Sequence, residues 1–367
     1  GKTSFVIDQA LQVSNVYILP EYQNEYGGGY SQTFSTLNAQ NIPNYAADES
    51  WGPKLDGRLV RHWDSWIPGS SEFGNLRPWS ANPDNVRNFF NTGITNNTTL
   101  SFSKGGDGYS VKTILRNVDI EGVLPNSKRN LKQVSASASF DVSDKLEVYT
   151  NINYQYRTTL NDPTGGYGSV ASNFNQWFQR QLDMNRLRDS YFQGGKFYTW
   201  NIRSTSNVNP LYWDSPYFET DQNIKNQTKN AVYGNVGMNY KITDNITLNT
   251  EIRRTVNTYK SDSRVAFGGL NQTSFTERDR TISSTEFFAM ATYNKDLTDN
   301  LDLTASVGTE LRQWQDRYID GATSGGLTIP GVYTVASSKD RPTYTNREWN
   351  SKNRGLFATA SLGYNDM

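Results

Sequence analysis

Apolar and polar side chains alternate along much of this chain. The clearest case is 131–157, LKQVSASASFDVSDKLEVYTNINYQYR. Val134, Ala136, Ala138, Phe140 and Val142 interleave with Ser135, Ser137, Ser139 and Asp141. Beyond Val-Ser-Asp-Lys, Leu146, Val148, Ile152, Tyr154 and Tyr156 interleave with Glu147, Asn151, Asn153, Gln155 and Arg157. A period of two gives an extended strand one apolar and one polar face, and Ser-Asp at the join is turn chemistry. Each half runs roughly 10 residues, the length of a tilted strand crossing a bilayer. A soluble sandwich strand is more often about 5–6 residues.

The unit recurs. The pattern predicts strands over 1–13 (Phe5, Ile7, Leu11 and Val13 in phase), 98–104, 109–120, both halves of the hairpin, 229–241, 246–257, 281–294, 301–313 and 352–364. Ile114, Val118 and Ile120 in the third strand, and Phe288 and Met290 in the eighth, fall on the polar face. Short joins follow the second, fourth, sixth and eighth strands. The join after the third is of middle length, and the rest are long. The longest, 14–97 and 158–228, are rich in Trp, Asn and Gly; 259–279 and 315–350 also read as loops. Segments that long are expected to carry function and their own short structure. Short helices are expected at 87–90, capped by Asn or Asp, and around 173–187. Tight turns gathered at one end predict an all-β fold, an antiparallel transmembrane β-barrel meander with short periplasmic turns and long extracellular loops. The rival is a soluble sandwich or propeller.

Composition narrows the function. The formal charge is zero over 367 residues, which argues against a nucleic-acid partner. No cysteine is present, excluding disulfides, and a single histidine, His62, excludes a multi-histidine metal centre. No apolar run of about 18 residues could form a membrane helix, but a barrel would leave none. No catalytic constellation emerges, so an enzyme is not expected, nor a cofactor. Gly27-Gly28-Gly29 lacks the spacing and lysine of a phosphate loop and reads as flexible. His62 reads as an ordinary loop residue. The pairs Glu219/Asp221 and Glu277/Asp279 could serve acid–base hydrolysis, but read as solvated loop carboxylates. Trp51, Trp63, Trp66, Trp79, Trp177, Trp200 and Trp213 all fall outside the strands. Flat aromatic faces among amides suit a sugar or peptide; most such residues are expected to build small cores within the loops, and a minority to touch ligand.

Several segments carry a family resemblance. SWGPKLDGR at 50–58 resembles the hallmark of the SusC/RagA family of TonB-dependent outer-membrane transporters. GKTSFVIDQ at the start, NVRNFFNTGITNNTTLSFSKGG at 85–106, EGVLPNS at 121–127 and NPLYW at 209–213 resemble other segments of that family, in the same order. NPLYW carries an extra Leu211 relative to the family's NPYW. The resemblance implies a barrel of roughly 22 strands with a plugged lumen. This chain would be an internal fragment holding the first part of that barrel (1–367, plug domain absent). It implies nutrient import across the bacterial outer membrane, with an oligosaccharide or peptide as ligand. It also implies two partners, a SusD-like surface lipoprotein over the long loops and TonB acting through an N-terminal region, within outer-membrane lipid. The alternatives are a soluble or surface carbohydrate-binding β module and a secreted glycoside hydrolase.

Overall fold

The computed structural model describes residues 2–162 and 165–364. Ten long strands form one antiparallel sheet in chain order: β1 Lys2–Ser14, β2 Gly93–Gly106, β3 Tyr109–Glu121, β4 Lys128–Ser143, β5 Leu146–Leu160, β6 Lys225–Lys241, β7 Ile246–Val265, β8 Ser274–Thr298, β9 Leu301–Leu327 and β10 Ser338–Tyr364. Gly1, expected to open the first strand, and Met367 lie outside the described residues. Tight turns at 107–108, 144–145, 242–245 and 299–300 occupy one end. At the first, Gly108 adopts φ +71°, a left-handed backbone that glycine accepts without strain. The joins L1 (15–92), L2 (122–127), L3 (161–224), L4 (266–273) and L5 (328–337) occupy the other.

Register keeps the apolar set on one face across every pairing. Ile7 faces Leu100, Leu100 faces Leu115, Leu115 faces Val134, Val134 faces Tyr154, and Tyr154 faces Val232. Val236 then faces Ile252, Ile252 faces Phe287, and Phe287 faces Leu311. That face is the exposed one: Leu11 is 69 % exposed, Ile152 52 %, Val307 60 % and Leu356 87 %. A soluble sandwich would bury it. An apolar face turned outward over a whole sheet, with a polar inner face, is the arrangement lipid requires. Tyr240, Tyr293 and Tyr364 stand on it near the tight turns, where an aromatic girdle belongs.

The inner face is polar and cross-linked. Tyr149 Oη donates to Glu251 Oε2 (3.0 Å), Asn249 Nδ2 to Asn239 Oδ1 (2.6 Å), and Asn239 Nδ2 to Glu147 Oε2 (2.9 Å). Arg312 pairs with Glu286 at 3.0 Å. The out-of-phase aromatic Phe288 stacks on Phe357 across this face at 6.0 Å, with Arg253 over its ring at 5.6 Å.

The main departure from the sequence reading is strand length. The stretches 259–279 and 315–350 are mostly strand, not loop: β8 has 25 residues and β9 and β10 have 27 each. About 10 suffice to cross the bilayer, so β7–β10 project well beyond it. Both faces of that projection meet water, so no apolar alternation marks it. Cross-strand charge pairs mark it instead: Arg278 with Asp320, Arg280 with Asp316, and Lys260 with Asp279. The long-loop end also starts later than expected in L1 and earlier in β2, whose strand begins at Gly93.

A charge on the outer face should therefore be far more damaging than one on the inner face. In the full-length protein refolded into vesicles, Ile152→Arg is expected to lower unfolding free energy by about 2–4 kcal/mol. Ser137→Arg, on the inner face of β4, should change it by less than about 1 kcal/mol. Equal losses for the two would remove the lipid-facing assignment.

Candidate functional site: a canopy built from two long loops

L1 and L3 fold together into one body at the long-loop end. L1 supplies a small four-stranded sheet, from Ser35–Leu37, Gln40–Ile42, Leu59–Arg61 and Leu76–Pro78. It also supplies a 3-10 turn at Arg87–Phe89. The expected Asn or Asp cap is replaced: the residue before that turn is Val86, whose N–H donates to Asn85 Oδ1 at 2.8 Å. L3 supplies α1 Val170–Gln176, α2 Met184–Ser190 and α3 Pro216–Asp221; the first two overlap the two ends of the stretch 173–187 read as one helix, which is broken between them. Each starts on a side-chain cap, Ser169, Asp183 and Ser215 respectively.

Their shared core is aromatic. Tyr45, Trp63, Ile67 and Phe89 of L1 pack with Phe174, Phe178, Leu187, Trp200 and Tyr217 of L3. The rings meet edge to face along a chain: Phe89 to Phe174 at 4.9 Å, Phe174 to Phe178 at 4.9 Å, Phe178 to Trp200 at 5.9 Å. The alternation that reveals strands could not reveal this core, because its residues follow no period.

Polar side chains from Gln179-Arg180-Gln181 lock the two loops. Arg180 is buried, and among the described residues it forms no ion pair. Its guanidinium donates to Asn24 Oδ1 (3.1 Å) and the Pro83 carbonyl (2.6 Å), and sits 4.8 Å from the Tyr22 ring centre. Burial pushes its pKa down. Gln179 Nε2 donates to the Ala47 carbonyl at 2.8 Å, and the Gly28 N–H donates to Gln181 Oε1 at 2.8 Å. Asn201 Nδ2 reaches the Tyr45 carbonyl at 3.1 Å. Nothing in the sequence flags these residues, since amides and one arginine form no motif.

The Gly27-Gly28-Gly29 run is not a flexible loop but a buried packing surface. A Cβ on Gly28 would lie 1.9 Å from Gln179 Oε1, and one on Gly52 would lie 2.0 Å from the Gly28 carbonyl oxygen. The run pairs with the 50–58 segment: Trp51 N–H donates to the Gly29 carbonyl (2.9 Å) and Gly52 N–H to the Gly27 carbonyl (2.9 Å). Trp79 Nε1 closes the same knot by donating to the Pro53 carbonyl at 3.1 Å.

The tryptophans divide accordingly. Trp63, Trp79 and Trp200 are buried at 4 %, 1 % and 2 % exposure, so their faces belong to the core. Trp66 is half-buried under the Arg61 guanidinium and donates to Tyr45 Oη at 2.9 Å. Trp177 is half-buried at the end of α1. Trp51 is open at 57 % exposure and tilts against Tyr26 at 4.7 Å. Trp213 is half-buried, donates to Asp48 Oδ2 at 2.8 Å and lies beside exposed Tyr167 at 6.2 Å. Trp51, Trp213, Tyr167 and Tyr212 thus leave aromatic surface open on the canopy.

The titratable groups are structural in geometry. His62 is buried, its Nε2 is 3.2 Å from the Pro78 carbonyl, and burial lowers its pKa to about 4. Buried Asp64 pairs with Arg77 and with Arg186 of α2, joining L1 to L3. Glu219 and Asp221 are half-buried rather than freely solvated: burial raises both, and they accept hydrogen bonds from Asn223 and Tyr191. Both oxygens of Asp214 accept the Leu270 N–H of L4 (2.9 and 3.1 Å), and burial raises this carboxyl to about 7. Glu277 and Asp279 stand exposed on β8. A cavity of about 580 Å³ lies between the canopy and the tops of β6 and β7. Phe90, Leu124 and Val170 line one part of it, Glu219, Lys225 and Arg264 another.

No protein-family model and no curated protein matches the sequence. Among solved structures, the RagAB peptide importer in its open-open state matches with a TM-score of 0.67 at 14 % identity, over 100 % of this chain and 40 % of that chain. The closed-closed state gives 0.67 and 14 % over 99 % of this chain and 40 % of that one. A further structure of the RagAB peptide transporter gives 0.59 and 16 %, over 77 % and 32 %. The chain has the fold of an outer-membrane transporter barrel. The chain spans 32–40 % of the length of the chains it matches.

His62 sets a pH test of the canopy. Its folded pKa, about 4, lies below the ordinary value of 6.5, so the unfolded loops bind the extra proton as pH falls through that window. The contribution is complete above about pH 6.5 and lost toward pH 4, amounting to about 3 kcal/mol. Protease cleavage of L1 and L3 in the full-length protein is expected to accelerate more between pH 7 and 4.5 than in His62→Gln. Parallel pH profiles for the two would contradict this.

Proposed function

We propose that this barrel wall belongs to a SusC/RagA-type, TonB-dependent importer of an oligosaccharide or peptide. A SusD-like surface lipoprotein would close over L1 and L3. The observation that carries the reading is the pairing of a lipid-facing wall with one folded canopy at the long-loop end. Its fold matches that of the RagAB importer, and the sequence resemblance at 50–58 falls on the canopy's central knot. Gly52 and the Pro53 carbonyl of that segment hold the Gly27–Gly29 run and Trp79 within L1, and Ser50 Oγ donates to the Phe178 carbonyl of L3 at 3.1 Å, so its role in this reading is to build the canopy. The chemistry is binding and gating, with no covalent step. Exposed Trp51, Tyr167 and Tyr212, with half-buried Trp213, are the proposed ligand or lid contacts. Aromatic faces stack on sugar rings and on peptide side chains at low entropy cost.

Deleting the gene for the full-length protein is expected to abolish uptake of one class, peptide or oligosaccharide, while the protein's purification from wild-type cells brings down a surface lipoprotein. Unimpaired uptake of both classes would overturn the importer reading. At the residue scale, Trp51→Ala with Tyr212→Ala should weaken uptake or lipoprotein affinity at least about tenfold without lowering the amount of protein in the outer membrane. Trp200→Ala should instead cost about 3–5 kcal/mol of canopy stability and lower that amount.

A further inference from the structure

At the long-loop end the inner face of the wall turns basic. Tyr154, Val232, Ile252, Phe287 and Leu311 face lipid, so odd positions of β5–β7 and even positions of β8 and β9 face inward. One inward row reads Arg157, Lys229, Tyr259, Arg280 and Tyr318 across β5–β9. Farther from the membrane, Arg278 stands opposite Ser261, and above it Lys225, Ser263 and Thr276 share a row. Each of these strands has a neighbour on both sides in the sheet. Nearer the tight turns the same face carries Glu147, Glu251, Glu286 and Glu310. The two signs are thus separated along the lumen, although the whole chain has no net charge.

Two features of the basic belt are unfavourable as they stand. Arg157 and Lys229 are direct cross-strand partners, and like charges in that position repel. Arg157 Nη2 donates to Gln227 Oε1 at 2.6 Å, but its buried Nε has no acceptor. Arg278 and Arg280 are matched by Asp320 and Asp316; among the described residues Arg157, Lys225 and Lys229 form no ion pair. Lys229 Nζ lies 5.3 Å from the Tyr259 ring centre. Lys225 and Ser263 line both the 580 Å³ cavity beneath the canopy and an adjoining one of about 310 Å³ that reaches Arg278. The belt therefore borders space shared with the canopy.

We infer that Arg157, Lys225 and Lys229 form a recognition site for a substrate bearing carboxylates, an acidic oligosaccharide or an acidic peptide. The inference rests on the importer reading and names the charge of what is imported. One carboxylate would accept from the Arg157 guanidinium, Nε included, and from the Lys229 ammonium, relieving their repulsion. A second would reach Lys225, four residues along β6 and roughly 13 Å away. A cleft lined by one sign of charge also concentrates the opposite sign at its entrance.

The test is calorimetric titration of full-length protein in detergent at low salt. The probes are trigalacturonate against neutral galactotriose, and tetraglutamate against tetraglutamine. In at least one pair the acidic member is expected to bind at least about tenfold more tightly, with the advantage shrinking as salt is raised. The pair that shows it identifies the source of the carboxylates. Each cation is worth up to about fivefold, so Arg157→Gln with Lys225→Gln and Lys229→Gln should weaken acidic binding at least about 20-fold. Lys132→Gln, on the outer face of β4, should change nothing. Lys229→Gln alone should lose about fivefold in binding without lowering the thermal midpoint, because it removes a repulsion; a purely structural lysine would lower the midpoint and leave affinity alone. That single variant decides the matter if the triple variant fails to insert. Equal binding of acidic and neutral members in both pairs, or undiminished acidic binding in the variants, would overturn the proposal. Uptake of a neutral substrate with no acidic preference would sink it while leaving the importer reading in place.

Discussion

Inside a bilayer every backbone N–H and C=O needs a partner within the protein, because lipid offers none. The antiparallel ladder from β1 to β10 meets that demand along nine pairings, and it fixes everything built on it. Because side chains alternate, a slip of one residue at any pairing would turn an apolar row into the lumen and a polar row into lipid. The pairings of Ile7 through to Leu311 show no such slip along the membrane band. The register shifts that do occur lie at the tight turns or near L5, away from lipid.

A rigid wall allows the loops to be elaborate. L1 and L3 leave the wall at fixed points and bury an aromatic core comparable to that of a small soluble domain. Their contact is specified by polar groups with single solutions. Arg180 needs Asn24, Asn85 and the Pro83 carbonyl together, and Gln179 needs the space that Gly28 leaves. Such networks add specificity because a half-satisfied version would strand a buried charge. The canopy also reaches L4 through Asp214 and L2 through Asn126, whose Nδ2 donates to the Thr220 carbonyl at 3.1 Å, so L1, L2, L3 and L4 are mechanically linked.

The outer surface carries a vertical order of its own. Tyrosines lie near the tight turns, aliphatic and aromatic residues fill the middle, and Arg254 on β7 marks the far rim. Above them the wall continues as a charged, paired sheet standing clear of the membrane. One continuous strand such as β9 thus passes through an interface, hydrocarbon, a second interface and water, and its composition changes at each boundary.

The sequence alone determined the wall within the membrane, because lipid on one face and polar lumen on the other impose a period of two that is visible residue by residue, as in Val134 to Phe140. It also determined the sidedness of the loops. It did not determine where β7–β10 end, since above the lipid both faces are wet and alternation lapses; only cross-strand pairs such as Arg280 with Asp316 keep the ladder going. Nor did it sort the tryptophans. Trp200 and Trp51 look alike in the chain, yet one fills a core and the other stays open, because that choice rests on contacts between loops over 100 residues apart, such as Gln179 with Ala47. The glycine run at 27–29 makes the same point. Its apparent freedom is lack of side chain, and only the tertiary structure decided that the space would be filled by Trp79 and Gln179 rather than by solvent.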